Sequence, residues 1–229
     1  MMAEEAKTAW VIGGSGLVGG ELLHALLDGP TYARVIALSR RPLSLDHPRL
    51  ANRILRFEAM ESELRGMRCD DAYCCVGTTR RQSGTAGYQA VDHDLVLRFA
   101  RSAQQAGAQQ FILVSSVDAN PGSRHAYLRT KGAVENALTA MQFRSLHIMQ
   151  PGVISGRRRE FRAAEELATI ALTLAGPLLL GQARRWRVMP ARVLAAAMHA
   201  AAMTARPGVH RYTWESMQKL TQRRTTARV

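Results

Sequence analysis

The chain has 229 residues, 47% of them hydrophobic, and a formal net charge of +13. Length and composition fit one globular domain with a buried core and exclude a disordered or low-complexity chain. Its three cysteines, Cys69, Cys74 and Cys75, exclude a disulfide framework and a cysteine metal cluster, and they suit a reducing compartment.

The first seven residues carry no basic-then-apolar leader, which sets the expectation of a cytoplasmic protein. An apolar run over residues 8–12 reads as the first strand. It enters Gly13-Gly14-Ser15-Gly16-Leu17-Val18-Gly19, which opens a helical pattern over 17–27. Glycines 13, 16 and 19 fit G-x-x-G-x-x-G, and glycines 14, 16 and 19 fit G-x-G-x-x-G. At a strand–helix junction such glycines let the backbone turn sharply and approach a pyrophosphate, while the helix start offers free N–H groups. A dinucleotide site is expected here.

A second apolar run, 34–39, ends in Ser39-Arg40-Arg41 with no acid. An NAD-preferring site places a carboxylate there for the ribose 2′-hydroxyl, whereas guanidinium groups suit a 2′-phosphate. The expected cofactor is therefore NADP(H), with Arg40 and Arg41 as its contacts.

Further strands are expected at 54–57, at 72–76 closed by Gly77, at 111–114 closed by Ser115-Ser116, and at 146–149 before Pro151-Gly152. Helical patterns occupy 91–105 and 131–141. This alternation predicts an α/β fold, a doubly wound parallel sheet of the Rossmann type. One domain is expected, with a cofactor-binding core at 1–156 and a small C-terminal, substrate-side lobe at 157–229. Residues 167–183 are uncharged, but Gly176-Pro177 interrupts them, so a core or lid helix is expected rather than membrane insertion. An alanine-rich helix is expected at 190–203, and its apolar stretch 193–203 could serve a homodimer interface. A last strand is expected at 209–213, followed by a frayed Arg/Thr-rich end.

The chemistry is expected from Tyr127-Leu128-Arg129-Thr130-Lys131. On a helix, positions i and i+4 share a face, which sets the phenol beside the ammonium. A neighbouring cation favours phenolate and fits tyrosine for proton transfer to or from an alcohol or carbonyl oxygen. Ser115 and Ser116, at the end of the fifth strand, sit where a hydroxyl could hold that oxygen.

These residues carry a family resemblance. Gly13-x-x-Gly16-x-x-Gly19, Ser115-Ser116, Tyr127-x-x-x-Lys131 and Pro151-Gly152-Val153 resemble the short-chain dehydrogenase/reductases in their extended or atypical branch. More narrowly, residues 74–80 (Cys-Cys-Val-Gly-Thr-Thr-Arg), Val91-Asp92-His93-Asp94 and Gln150-Pro151-Gly152-Val153 are similar to the NADPH-binding Tat-interacting protein group. The resemblance implies that Gly13, Gly14, Ser15, Gly16, Leu17 and Val18 wrap the pyrophosphate. It implies that Gly77, Thr78 and Thr79 line the adenine-ribose and central portion, and that Pro151, Gly152 and Val153 lie along the nicotinamide. Tyr127 would be the proton donor or acceptor, Lys131 would bond the nicotinamide ribose, and Ser116 rather than Ser115 would orient the substrate. Three positions depart from the pattern. Gln150 stands where the narrower group has arginine, Arg56 follows the third strand in place of an aspartate (Glu58 is nearby), and residues 81–104 contain no relay asparagine. Asp92 lies nearest that place.

The seven histidines show no metal-ligand spacing. The arginine clusters at 157–159, 184–187 and 223–228 come with no nucleic-acid-binding motif, so the expected partner is a small-molecule substrate and not nucleic acid. The leading reading is an NADP(H)-dependent oxidoreductase acting on a carbonyl or alcohol. The alternatives are an NADPH-binding regulator with little turnover, and an epimerase or dehydratase acting on a nucleotide sugar.

Overall fold

The apolar runs of the chain become β1 (Lys7–Ile12), β2 (Tyr32–Ser39), β3 (Leu50–Ile54), β4 (Asp71–Cys74), β5 (Gln110–Val114), β6 (Ser145–Met149), the two-residue β7 (Ile154–Ser155) and β8 (Met189–Pro190), and β9 (Gly208–Tyr212). The computed structural model describes residues 6–77, 90–156 and 181–226. Among these, seven strands form one sheet in the order β3-β2-β1-β4-β5-β6-β9, with every neighbouring pair parallel; β7 and β8 pair separately. The central strands are buried on both faces, which is why they read as continuous apolar runs rather than alternating ones.

The helices are α1 (Leu17–Leu27), the short α2 (Met60–Glu63), α3 (Leu95–Gln105), α4 (Ala126–Ala140), α5 (Ala191–Met203) and α6 (Trp214–Thr226). They cover both faces of the sheet. On one face Val18, Leu22, Leu23 and Leu26 of α1 meet Leu194, Ala195, Met198 and Ala201 of α5. On the other, Val96, Phe99 and Ala103 of α3 and Val134 and Leu138 of α4 pack against Trp10, Ile12, Phe111 and Ile148. This is the doubly wound α/β fold expected from the sequence.

Three expectations need correction. The third strand is Leu50–Ile54 rather than 54–57. It lies at the sheet edge, half exposed and with Asn52 and Arg53 in it, so it lacks the apolar signature of its neighbours. The apolar face of α5, read as available to a second copy, is covered by α1 within the chain. The C-terminal segment is not frayed through residue 226: it forms α6, with Met217 buried and Trp214 and Leu220 packed against the α1–α5 core.

The strand order reverses direction at β1, with β2 on one side and β4 on the other. In open parallel sheets the crevice at this point, beyond the carboxyl ends of the strands, is where ligands bind.

Candidate active site at the carboxyl edge of the sheet

Pairing of Ile12 with Cys74 brings the turn after β1 against the end of β4. Gly13 has φ +85°, and a Cβ there would lie 2.8 Å from the Cys75 carbonyl carbon and oxygen. The Gly16 N–H donates to the Gly13 carbonyl at 2.9 Å and closes the turn. A Cβ on Gly19 would sit 2.1 Å from the Gly13 oxygen. The first turn of α1 therefore packs on the β1 exit at a separation only glycine allows. Gly16 is the N-cap of α1 and offers no side-chain cap, so the helix start keeps N–H groups for an anion. Ser15 and Gly16 are exposed, and Leu17 is half-buried beside them.

At the end of β2, the Ser39 hydroxyl donates to the Arg41 carbonyl (2.7 Å) and accepts from Asn52 Nδ2 (2.7 Å). Asn52 Oδ1 accepts from the Leu43 N–H at 2.9 Å. An asparagine on the edge strand thus shapes the turn that presents Arg40 and Arg41, both exposed. The Arg40 guanidinium lies 5.8 Å from the centroid of the Phe57 ring. Neither Asn52 nor Phe57 was marked by the sequence, since their contribution depends on strand pairing.

Helix α4 carries Tyr127 and Lys131 on one face. Tyr127 is 43% exposed, while Lys131 is only 3% exposed. The Lys131 Nζ lies 2.8 Å from Asp92 Oδ1, and Asp92 is fully buried on the π-helical turn Ala90–Asp94 that leads into α3. A Cβ on Gly77 would come within 3.8 Å of Asp92 Oδ1 and 3.9 Å of Lys131 Nζ, so the β4 exit borders the ion pair directly. Burial works against the charge on Lys131. It is the largest single influence, but the charge and hydrogen bond of Asp92, with Tyr127 and Cys74, together outweigh it, and the lysine pKa stands above its ordinary value. Burial pushes the neighbouring Cys74 thiol up to about 11, which keeps it neutral.

The loop before α4 is docked onto the helix. The Asn120 N–H donates to the Leu128 carbonyl at 3.0 Å, and a Cβ on Gly132 would lie 2.3 Å from the Pro121 nitrogen. This contact explains the glycine that follows Lys131. The helix begins at Ala126 rather than at 131, as its apolar pattern suggested.

Ser115 and Ser116 are both buried, with different partners. The Ser115 hydroxyl donates to Glu135 Oε1 at 2.5 Å, and that of Ser116 donates to the adjacent Val117 carbonyl at 3.2 Å. Glu135, one turn beyond Lys131, also accepts from Gln150 Nε2 at 2.9 and 3.1 Å and from Arg211 Nε at 3.2 Å. Gln150, at the position where the resemblance expects arginine, therefore supplies hydrogen bonds, while Arg211 on β9 supplies the cation. The sequence carried one signal for Glu135, its four-residue spacing from Lys131; nothing in it linked Arg211 to this helix.

Pro151 is buried, and its carbonyl accepts from the Val117 N–H at 2.9 Å. The Val153 carbonyl accepts from the Met189 N–H at 2.7 Å. A Cβ on Gly152 would meet the Arg185 carbonyl at 3.0 Å and the Trp186 Cα at 3.1 Å. The turn Gly181–Trp186 thus lies against Gly152, with Trp186 39% exposed and Arg185 paired to Asp118 at 3.2 Å. Arg184 pairs with Glu215 at 3.2 Å, and the Arg187 guanidinium lies 5.2 Å from the Trp214 ring centroid, so this arginine cluster has partners within the fold. Thr78, Thr79 and the 157–159 arginines lie outside the described residues, as does 167–180 of the uncharged segment. Among the described residues no helix is long and apolar enough to cross a membrane, and no His/Cys/Asp/Glu group could hold a metal ion.

The model of the NAD dependent epimerase/dehydratase family matches residues 9–143, which run from β1 through α4. The chain belongs to that family. It is 34% identical over 166 residues to Protein HTATIP2 of Rattus norvegicus, covering 71% of this chain and 69% of that one, in keeping with the narrower resemblance to the Tat-interacting protein group. It is 30% identical over 215 residues to Protein FMP52 of Coccidioides immitis (88% and 87% covered), and 32% over 152 residues to its namesake in Saccharomyces cerevisiae (65% and 66%). Both FMP52 proteins are named as mitochondrial, which overturns the cytoplasmic expectation drawn from the first residues. Among solved structures, MoeE5 in complex with UDP-glucose and NAD superposes with a TM-score of 0.67 at 16% identity, covering 96% of this chain and 82% of that one. A short chain dehydrogenase family protein from Francisella tularensis gives 0.62 at 14% identity, covering 92% and 98%. These two likenesses establish the Rossmann-type fold.

Proposed function

We propose that the protein is an NADP(H)-dependent oxidoreductase acting on a carbonyl or alcohol group of a small molecule. One observation carries this reading: a buried, charge-paired Lys131 sits one helical turn from an exposed Tyr127, beside a glycine turn open to an anion. The fit to a dinucleotide rests on the backbone. Gly13 and Gly19 hold strand and helix at a distance any Cβ would disrupt, and the uncapped start of α1 offers N–H donors for a pyrophosphate. In this reading Gly13, Gly14, Ser15, Gly16, Leu17 and Val18 hold the pyrophosphate, and Arg40 and Arg41 hold the 2′-phosphate. Gly77, Thr78 and Thr79 follow the central portion, and Pro151, Gly152 and Val153 follow the nicotinamide. The bound cofactor supplies or accepts the hydride, which no side chain can do.

The remaining work belongs to the chain. Tyr127, exposed at the mouth, passes a proton to or from the substrate oxygen. Lys131 holds a positive charge beneath it, favouring the phenolate form that proton donation leaves behind. Ser116 orients the substrate oxygen once its hydroxyl leaves the Val117 carbonyl. Ser115, already committed to Glu135, acts as a brace.

A second reading is favoured by the family match and by neighbours solved with UDP-sugars: epimerase or dehydratase chemistry on a nucleotide sugar. A single experiment separates the readings. Wild-type protein is given NADPH with a panel of carbonyls and quinones, and separately NAD with UDP-sugars, while cofactor oxidation and sugar products are followed. NADPH oxidation that falls by about 10²- to 10⁴-fold in Tyr127→Phe supports the oxidoreductase. Conversion of a UDP-sugar alone supports the second reading. Cofactor binding without turnover on any of these substrates points to a regulator.

A further inference from the structure

We propose that Asp92 is a positioning residue for Lys131: its carboxylate fixes the ammonium, charged, at the β4 exit and leaves the other N–H donors for cofactor and phenol. This rests on the oxidoreductase reading for its consequence in turnover, though the ion pair itself does not.

The argument starts from burial. A lysine with 3% of its side chain exposed has lost nearly all its water, which by itself favours the neutral amine. A neutral Lys131 would give Tyr127 no electrostatic help. Three titratable groups face it: Asp92 from the turn before α3, Tyr127 from its own helix and Cys74 from β4. Cys74 is a neutral thiol, held up at about 11. Glu135, the next carboxylate along α4, is occupied by Ser115, Gln150 and Arg211. Asp92, fully buried and 2.8 Å away, is the carboxylate that meets the lysine.

The local backbone supports this assignment. Asp92 lies on a π-helical turn rather than in regular α-helix, and such widened turns concentrate at functional sites because they re-aim one side chain. An ammonium has three donors; Asp92 takes one and thereby limits where the others point. Gly77 keeps the neighbouring space open.

The composition makes a direct test practical, since the chain contains only Lys7, Lys131 and Lys219. Labelling lysine with ¹³C at the ε-carbon gives three resonances, and Lys131→Arg identifies the one at issue. In the wild type, the Lys131 signal should titrate above the ordinary lysine value. In Asp92→Asn, which keeps an oxygen acceptor but removes the charge, burial acts unopposed and its midpoint should fall by about three to four pH units, to near 7. A wild-type midpoint at or below the ordinary lysine value overturns the proposal even if the variant does not fold, as does an unmoved midpoint in a folded variant. With an active substrate, Asp92→Asn should also lower kcat about tenfold or more at pH 8 and recover toward pH 6, where Lys131 regains its proton. A uniform loss of kcat at every pH would mark a merely structural role. The titration needs no turnover, so the ion-pair assignment can fail or hold whatever becomes of the oxidoreductase reading.

Discussion

The two ends of the same parallel sheet both bury charged and polar groups, and they do so in opposite ways. At the amino edge, Tyr32, Asp71 and Gln110 open β2, β4 and β5. The Tyr32 hydroxyl donates to Asp71 Oδ2 at 2.7 Å and lies 2.7 Å from the Tyr73 hydroxyl, while Gln110 Nε2 donates to Asp71 Oδ1 at 2.9 Å. Lys7 stands 3.8 Å from Asp71, partly in solvent. Burial raises the pKa of Asp71, against hydrogen bonds from Tyr32 and Gln110 and the charge of Lys7; burial, then Tyr73 and Asp71, raise that of Tyr32 well above its ordinary value. These groups hydrogen-bond to one another and fasten neighbouring strands, although Gln110 Oε1 has no hydrogen-bond partner. At the carboxyl edge, the Lys131–Asp92 pair borders glycines and an exposed tyrosine. The amino-edge cluster holds register at a closed end of the sheet; the carboxyl-edge pair, itself buried, sets charge beneath an open end with an exposed tyrosine.

This difference can be broken by substitution, and the largest effect is expected at the open end. Gly19→Ala drives a methyl group into the Gly13 carbonyl and displaces the glycine turn after β1. NADPH affinity should fall at least a hundredfold by calorimetry; unchanged affinity would place the cofactor elsewhere. Asp71→Ala at the closed end leaves buried Tyr32 and Gln110 without their acceptor. It should cost about 2–4 kcal/mol in denaturant unfolding while NADPH affinity measured below the melt stays within about twofold. A large loss of affinity from Asp71→Ala would show that the two ends are coupled.

Between the ends, on β6, His147 contacts the Tyr212 hydroxyl at 3.0 Å and stacks on His210. Burial, then His210 and Arg206, lower its pKa from 6.5 to about 4. The unfolded chain takes up this proton near 6.5, whereas the native state does so only near 4. The stabilisation is full above the upper value and is lost as pH falls through that window, by about 3 kcal/mol at most. His147→Gln should flatten the pH dependence of unfolding between pH 7 and 4. An unchanged slope would assign the acid sensitivity to other groups.

The smallest expected effect concerns cofactor choice. Arg40→Ser and Arg41→Ser should each reduce the preference for NADPH over NADH by about tenfold, the scale of one charge-assisted contact. Equal loss for both cofactors would mean that the arginines hold the turn rather than read a phosphate.

The sequence was most legible where local chemistry and tertiary role agree. The limits of α1 coincide with its apolar periodicity because the glycine turn starts it and its inner face is a continuous leucine stripe. The Tyr127–Lys131 spacing placed both residues on one helix for the same reason. Legibility failed where pairing decides: β3 is polar because it is an edge, and Asn52 matters only once β3 lies beside β2. In the tail, the spacing of Trp214, Met217 and Leu220 was a helical signal obscured by the arginines and threonines around it. Asp92 showed in sequence as part of a family-like string and as the residue nearest a missing asparagine; its partner became evident when α4 was placed against the turn before α3.

The most direct test of the central claim, that the carboxyl edge is an NADP(H) site served by Tyr127 and Lys131, is a paired titration of the purified protein with NADPH and NADH. One NADPH per chain should bind, at least tenfold tighter than NADH. Tyr127→Phe should leave that affinity near wild type, and Lys131→Met should weaken it. Equal or tighter binding of NADH, or no binding of either nucleotide, would contradict the account.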